Sequence, residues 1–199
     1  MLKGYLLAID LAFRRSAVRT LVNDIGCYVL CDLNDVPMYV GQSTDGIRNR
    51  VNRHLTSARS DIIANRQIDV WEIAFVWAYP VVEKALITPL EDALFHKFNG
   101  ASPLMNGKAP KKSAQHFEIP KPAQIVQVMS DAEIKEKLDP ALRLPRQAEH
   151  YSQIVGHFLA VKNSKEIAGA IQAHFNRLHT YHSELLRLAT DIEGDVPEN

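Results

Sequence analysis

Leu2, Leu6, Ile9, Phe13, Ala17 and Leu21 recur at helical spacing, with Arg14, Arg15 and Arg19 turned away from that stripe. They predict an amphipathic helix over residues 2–22. The pattern then changes period. Residues 26–33 read as a strand, Asn34-Asp35 as a turn, and residues 36–41 as a second strand with Pro37 near its start, which together predict a hairpin. Polar residues from Gln42 to Gly46 precede a stripe of Ile47, Val51, Leu55 and Ala58, a helix over 46–59. In 70–79, Trp71, Ile73, Phe75 and Trp77 alternate against Glu72 and smaller residues, the strongest strand pattern in the chain and one expected at the centre of a small sheet. Thr88-Pro89-Leu90-Glu91 has the form of a capping box opening a helix through Phe98, which Asn99-Gly100 stops.

Pro110, Pro120 and Pro122 among Lys108, Lys111, Lys112 and Lys121 mark an exposed linker. Beyond it the chain reads as helical. A short helix covers 131–138, and Tyr151, Ile154, Val155, Phe158 and Leu159 mark a second. A third opens at Ser164-Lys165-Glu166, where Ile167, Ile171, His174, Leu178, Tyr181, Leu185, Leu188 and Ile192 alternate four- and three-residue steps in a heptad-like seam. The expected fold is α+β, a small mixed or antiparallel three-stranded sheet with flanking helices. The expected organisation is an N-terminal helix (1–23), the α+β domain (24–108), a linker (109–125) and a helical accessory region (126–199). His174 and Tyr181 in the seam favour packing within one chain, and hence a monomer, over a homodimer through the C-terminal helices.

Composition narrows the class without naming a partner. With 46% hydrophobic and 23% charged residues, the 199-residue chain is an ordinary globular sequence, not a fibrous or disordered one. Its 23 basic and 23 acidic residues cancel, yet residues 46–66 hold five arginines against Asp61 alone, a strip of charge suited to a phosphate backbone. Cys27 and Cys31 lie about 13 Å apart along a strand, beyond the roughly 7 Å a disulfide spans, which points to a reduced, cytoplasmic protein. Asp10 breaks the N-terminal apolar stretch and no run of eighteen apolar residues occurs, so neither a signal peptide nor a membrane span is expected.

The chemistry-bearing residues fall in one order: Gly26-Cys27-Tyr28, Tyr39-Val40-Gly41, Arg50, His54, Glu91 and Asn106. A two-residue turn sets Tyr39 opposite Leu30 and Gly41 opposite Tyr28, so both phenols share one sheet face as diagonal neighbours, with space beside Tyr28. Counted at about 100° per residue from Ile47, the apolar stripe centres near about 35°, Arg50 at about 300° and His54 at about 340°, both on one flank, with Arg48 on the other near about 100°. Glu91 borders the buried face of its helix beside Leu90, Leu94 and Phe98, where an acid pairs or binds a cation.

Over residues 24–108 this set resembles the GIY-YIG nuclease superfamily, named for two short strand motifs followed by an Arg-bearing helix, a metal-binding Glu on a later helix and often a late Asn. Two departures are Cys27 at the middle of the first motif and a gap before Arg50 about one residue longer than common, which brings Arg48 into consideration as the site arginine. The resemblance implies a metal-dependent endonuclease that hydrolyses DNA phosphodiester bonds. Water would be the nucleophile and Tyr28 or Tyr39 its base, with Arg50 and His54 favouring loss of the phenol proton. Arg50 would stabilise the phosphoryl oxygens and Asn106 would hydrogen-bond at the leaving-group end. Glu91 would hold one Mg²⁺ or Mn²⁺ on the departing 3′ oxygen. Arg48, Arg53, Arg59, Lys108, Lys111 and Lys112 are candidate DNA contacts. The alternative is a catalytically silent nucleic-acid-binding or interaction module on the same fold.

Overall fold

The computed structural model describes residues 10–56, 67–106, 109–110, 117–160 and 165–194. Helix α1 (Leu11–Arg19) leads into the hairpin of β1 (Gly26–Cys31) and β2 (Pro37–Ser43), then α2 (Ile47–Thr56). A short 3₁₀ turn (Val70–Glu72), β3 (Phe75–Pro80) and a second 3₁₀ turn (Lys84–Leu86) lead to α3 (Ile87–Ala101). Strand β4 (Gln124–Gln127) and helices α4 (Asp131–Lys137), α5 (Pro140–Ala160) and α6 (Lys165–Gly194) complete the described chain. The fold is α+β around a fully antiparallel sheet in the order β2-β1-β3-β4.

The sheet has four strands where three were expected. Residues 124–127 sit behind two prolines, are only four long and leave Ile125 more than half exposed, so they carry no alternating signal. They are held by pairing with β3, and the Gln124 side chain accepts a hydrogen bond from the Val22 amide at 2.7 Å and donates to the Thr20 carbonyl. Strand β4 thus straddles the expected boundary between linker and helical region.

Strand β3 is shorter than 70–79 suggested. Asp69 accepts a hydrogen bond from the Trp71 amide and winds Val70–Glu72 into a 3₁₀ turn, which turns Glu72 into the interior. Helix α3 starts at Ile87 with no side-chain cap, directly after the second 3₁₀ turn, so the capping box at Thr88 does not form. Helix α5 begins at Pro140, earlier than its apolar stripe, and runs through Pro145.

The N-terminal helix also departs from its expected face. Leu2, Leu6 and Ile9 lie outside the described residues; Phe13 is more than a third exposed, whereas Arg14 is fully buried. Its guanidinium donates to the carbonyls of Val70 (3.2 Å), Ile73 (3.1 Å) and Val128 (3.4 Å), so a cation sits where an apolar residue was expected because three carbonyls await it.

Two apolar layers flank the sheet. Tyr28 and Leu30 pack with Val18 from α1 and Leu21 just beyond it, Ile47, Val51 and Leu55 from α2, and Ala173 from α6. On the other face Cys27, Val29, Cys31 and Val40 meet Ile87, Leu90, Leu94 and Phe95 of α3. Both thiols are free and buried, and burial raises them well above the ordinary thiol range. Among the described residues no helix is long and apolar enough to cross a membrane.

The C-terminal helices pack on the sheet through buried charge. Arg143 donates to Glu72 at 2.9 Å and to the Tyr181 hydroxyl at 2.9 Å, Arg146 also pairs with Glu72, and Arg177 donates to Asp32 at 2.6 Å and to the Pro37 carbonyl. Of the expected seam, Ile167 and Ile171 pack against Ile154 of α5, and the side chains of Leu188 and Ile192 lie outside the described residues. His174 donates to the Gln67 carbonyl at 3.0 Å, so the polar seam positions serve intrachain contacts.

Burial first, then the neighbouring His150, pushes the His174 imidazole down to about 3 from an ordinary 6.5. The folded state therefore holds His174 neutral, and the stability this gives is present above pH 6.5 and lost as pH falls toward 3. On acidification from about pH 7.5 to about pH 5, the protein should lose about 2 kcal/mol more unfolding free energy than His174→Asn in urea denaturation. Equal losses would show that His174 ionises without penalty.

Candidate active site

The hairpin register decides where the two tyrosines stand. Tyr28 lies opposite Gly41 and Leu30 opposite Tyr39, as expected, and the register slips only beyond, between Leu30 and Cys31. The cause is a turn longer than Asn34-Asp35: Asp32 accepts from the Asn34 and Val36 amides, and Asp35 takes a left-handed backbone at φ 58°. The slip leaves the site register untouched.

Tyr28 has no exposed surface, and its hydroxyl lies 2.6 Å from Nε2 of His54, one hydrogen bond inside a closed layer. The ring centroids of Tyr28 and Tyr39 are 6.4 Å apart, and those of Tyr39 and His54 are 6.2 Å apart and nearly perpendicular. Two phenols and one imidazole therefore form a single cluster. His54 reaches it because its flank of α2 faces the sheet beside Ile47, Val51 and Leu55, the other buried positions of that helix. Half-buried Arg50 stands one turn earlier on the same flank.

Gly41 makes the cluster sterically achievable. A Cβ there would stand 2.5 Å from Cζ of Tyr28 and 2.8 Å from Cε1 of Tyr39, inside van der Waals contact with both rings. Asn106 holds the same strand from outside: its side-chain oxygen accepts from the Val40 amide at 3.0 Å and its nitrogen donates to the Val40 carbonyl at 2.6 Å. The Met105 amide donates to the Met38 carbonyl at 2.7 Å, so residues 105–106 cover the free edge of β2. Asn106, expected to act at the leaving-group end, bonds the backbone of Val40 between Tyr39 and Gly41.

Residues 24–102 match the family model of the GIY-YIG catalytic domain. This segment is a GIY-YIG domain. No curated protein matches the chain in sequence. The match supports a nuclease-type function in general for this segment, which contains the strands that carry Tyr28 and Tyr39.

Glu91 belongs to the opposite layer of the GIY-YIG domain. It is half-buried on α3, and burial first and Asp92 second push its carboxyl up to about 7. Its charge and that of Asp92 also oppose ionisation of Cys27, the neighbour of Tyr28 on β1. Because no capping box forms, no helix cap uses this carboxylate. No group of three or more His, Cys, Asp or Glu is placed to hold a metal among the described residues. One desolvated carboxylate, completed by water and phosphate oxygens, is a donor of the kind a hard divalent cation takes, and a bound cation would favour the ionised form that burial and Asp92 disfavour.

The candidate DNA contacts divide. Arg48 donates through Nε to the Leu21 carbonyl at 2.6 Å on the flank of α2 away from His54. Arg53 is exposed and paired with Asp45 at 3.0 Å, so its charge is locally balanced. Arg59, Lys108, Lys111 and Lys112 lie outside the described residues.

Replacing Gly41 by Ala should cost about 1–3 kcal/mol through overpacking, because Tyr28 is fully buried and held by His54 and has no free space to enter. Urea denaturation of Gly41→Ala reads this, and a variant as stable as the parent would mean that the rings repack freely.

Proposed function

We propose that the chain is a divalent-metal-dependent endonuclease that hydrolyses phosphodiester bonds in DNA. The observation that carries this reading is the 2.6 Å contact between the Tyr28 hydroxyl and His54, with Tyr39 beside it and a glycine opposite. A phenol ordinarily ionises near about pH 10 and is a poor base at neutral pH. An imidazole nitrogen at hydrogen-bonding distance corrects this: the attacking water gives its proton to the half-exposed Tyr39 oxygen as Tyr39 gives its own toward the buried Tyr28–His54 pair, where the Tyr28 proton passes to Nε2 of His54. Tyr39, half-exposed at the mouth of the cluster, orients the water or the phosphate.

Arg50 stabilises the negative charge that grows on the phosphoryl oxygens, a role suited to a guanidinium held at the edge of the core. Glu91 would hold the divalent metal, which would supply Lewis-acid stabilisation to the leaving group. Asn106 acts as a positioning residue, fixing the backbone of Val40 and with it the spacing of Tyr39 and Gly41.

A nicking assay on supercoiled DNA with Mg²⁺ tests the proposal. Glu91→Gln should abolish cleavage while retaining DNA binding, and Tyr28→Phe and Arg50→Ala should each lower the rate by a factor of at least about 100. If Arg48→Ala lowers the rate at saturating DNA more than Arg50→Ala does, Arg48 is the site arginine. A parent protein that binds DNA and never nicks it is the silent module instead.

A further inference from the structure

Helices α1 and α2 enclose an open cleft of about 410 Å³ lined by Arg15, Val18, Arg19, Arg48, Asn49, Asn52 and Thr56. Three of the seven are arginines, three more are neutral hydrogen-bonding residues, and none carries a carboxylate. In a chain of zero net charge, this is a concentrated positive surface. It lies apart from the tyrosine cluster: Arg48, Asn52 and Thr56 follow one another at four-residue steps along the flank of α2 away from Arg50 and His54. Helix α1 also lies before residues 24–102, so the GIY-YIG domain alone does not supply the cleft.

The arrangement suits an extended anion. Arg15 and Arg19 are exposed and one turn apart, about 6 Å along the helix axis. Duplex DNA presents one phosphate per strand about every 3.4 Å of axis, so this pair spans about two phosphate steps. Arg48 faces them from α2 with its Nε fixed on the Leu21 carbonyl, which orients its guanidinium. A C-terminal helix charge interaction would account for Arg19, in the last turn of α1, but not for Arg15. The Arg53–Asp45 pair shows the contrast, since that exposed arginine has its counter-charge within the protein.

We infer that the α1–α2 cleft binds the phosphodiester backbone of the DNA substrate beside the cleavage site, through Arg15, Arg19 and Arg48. This rests on the nuclease reading for its choice of polyanion, and α2 then holds substrate on one flank and acts on it with the other.

Binding of a fluorescent DNA duplex to the full chain without divalent metal, at several salt concentrations, tests the cleft separately from catalysis. Arg15→Ala/Arg19→Ala should weaken binding at least about tenfold and reduce the slope of log K against log salt by about 2. The control Lys97→Ala/Lys135→Ala removes the same charge from exposed sites on α3 and α4 and should leave the affinity within about twofold. Thermal melts establish that both variants are folded, and Arg15→Glu/Arg19→Glu should weaken binding further. Parental affinity and slope in the cleft variants would overturn the inference, as would equal losses in the control or no DNA binding by the parent. Failure of the parent to nick DNA, with the cleft effect intact, would overturn the nuclease reading alone.

Discussion

Every residue of β1 from Gly26 to Cys31 is buried, and this constraint organises the domain. A strand closed on both faces needs apolar cover from two directions, which α1, α2 and α6 supply on one side and α3 on the other. It also requires that any polar atom on that strand find a partner inside. Tyr28 carries a hydroxyl into one layer, and the contact with His54 satisfies it. The same burial keeps Cys27 and Cys31 as neutral thiols, consistent with structural rather than reactive cysteines.

A second consequence follows at the sheet edge. Strand β2 has β1 on one side only, and an open edge would let Tyr39 and Gly41 shift relative to Tyr28. The Asn106 amide, bonding both backbone groups of Val40, substitutes for a strand residue at the point between the two motif positions.

The parts of this arrangement legible in the sequence are those set by local period. Alternation and one turn put Gly41 opposite Tyr28, and the 3.6-residue period put Arg50 and His54 on a common flank. What escaped depends on partners far along the chain. Arg14 looks like a solvated helix residue until residues 70, 73 and 128 bring three carbonyls to it. Glu72 looks like the polar side of a strand until Arg143 and Arg146 arrive from α5. Strand β4 has too few residues to show any period, and Asp32, which shapes the hairpin turn and pairs with Arg177 of α6, resembles any turn aspartate.

The buried charges explain why the helical region is no loose appendage. Removing one partner from Glu72 or Asp32 leaves an uncompensated charge in the interior, which costs several times what a surface pair is worth. Each pair also fixes orientation, since a guanidinium bonds well only in its own plane. Arg177 reaches Asp32, the Pro37 carbonyl and Ser102 together, so α6 is registered against the hairpin turn, the start of β2 and the end of α3. These are ends of the elements that carry Tyr28, Tyr39 and Glu91. A helix that sequence alone reads as an accessory is thus a brace on all three, and the geometry of the tyrosine cluster depends on residues more than a hundred positions away.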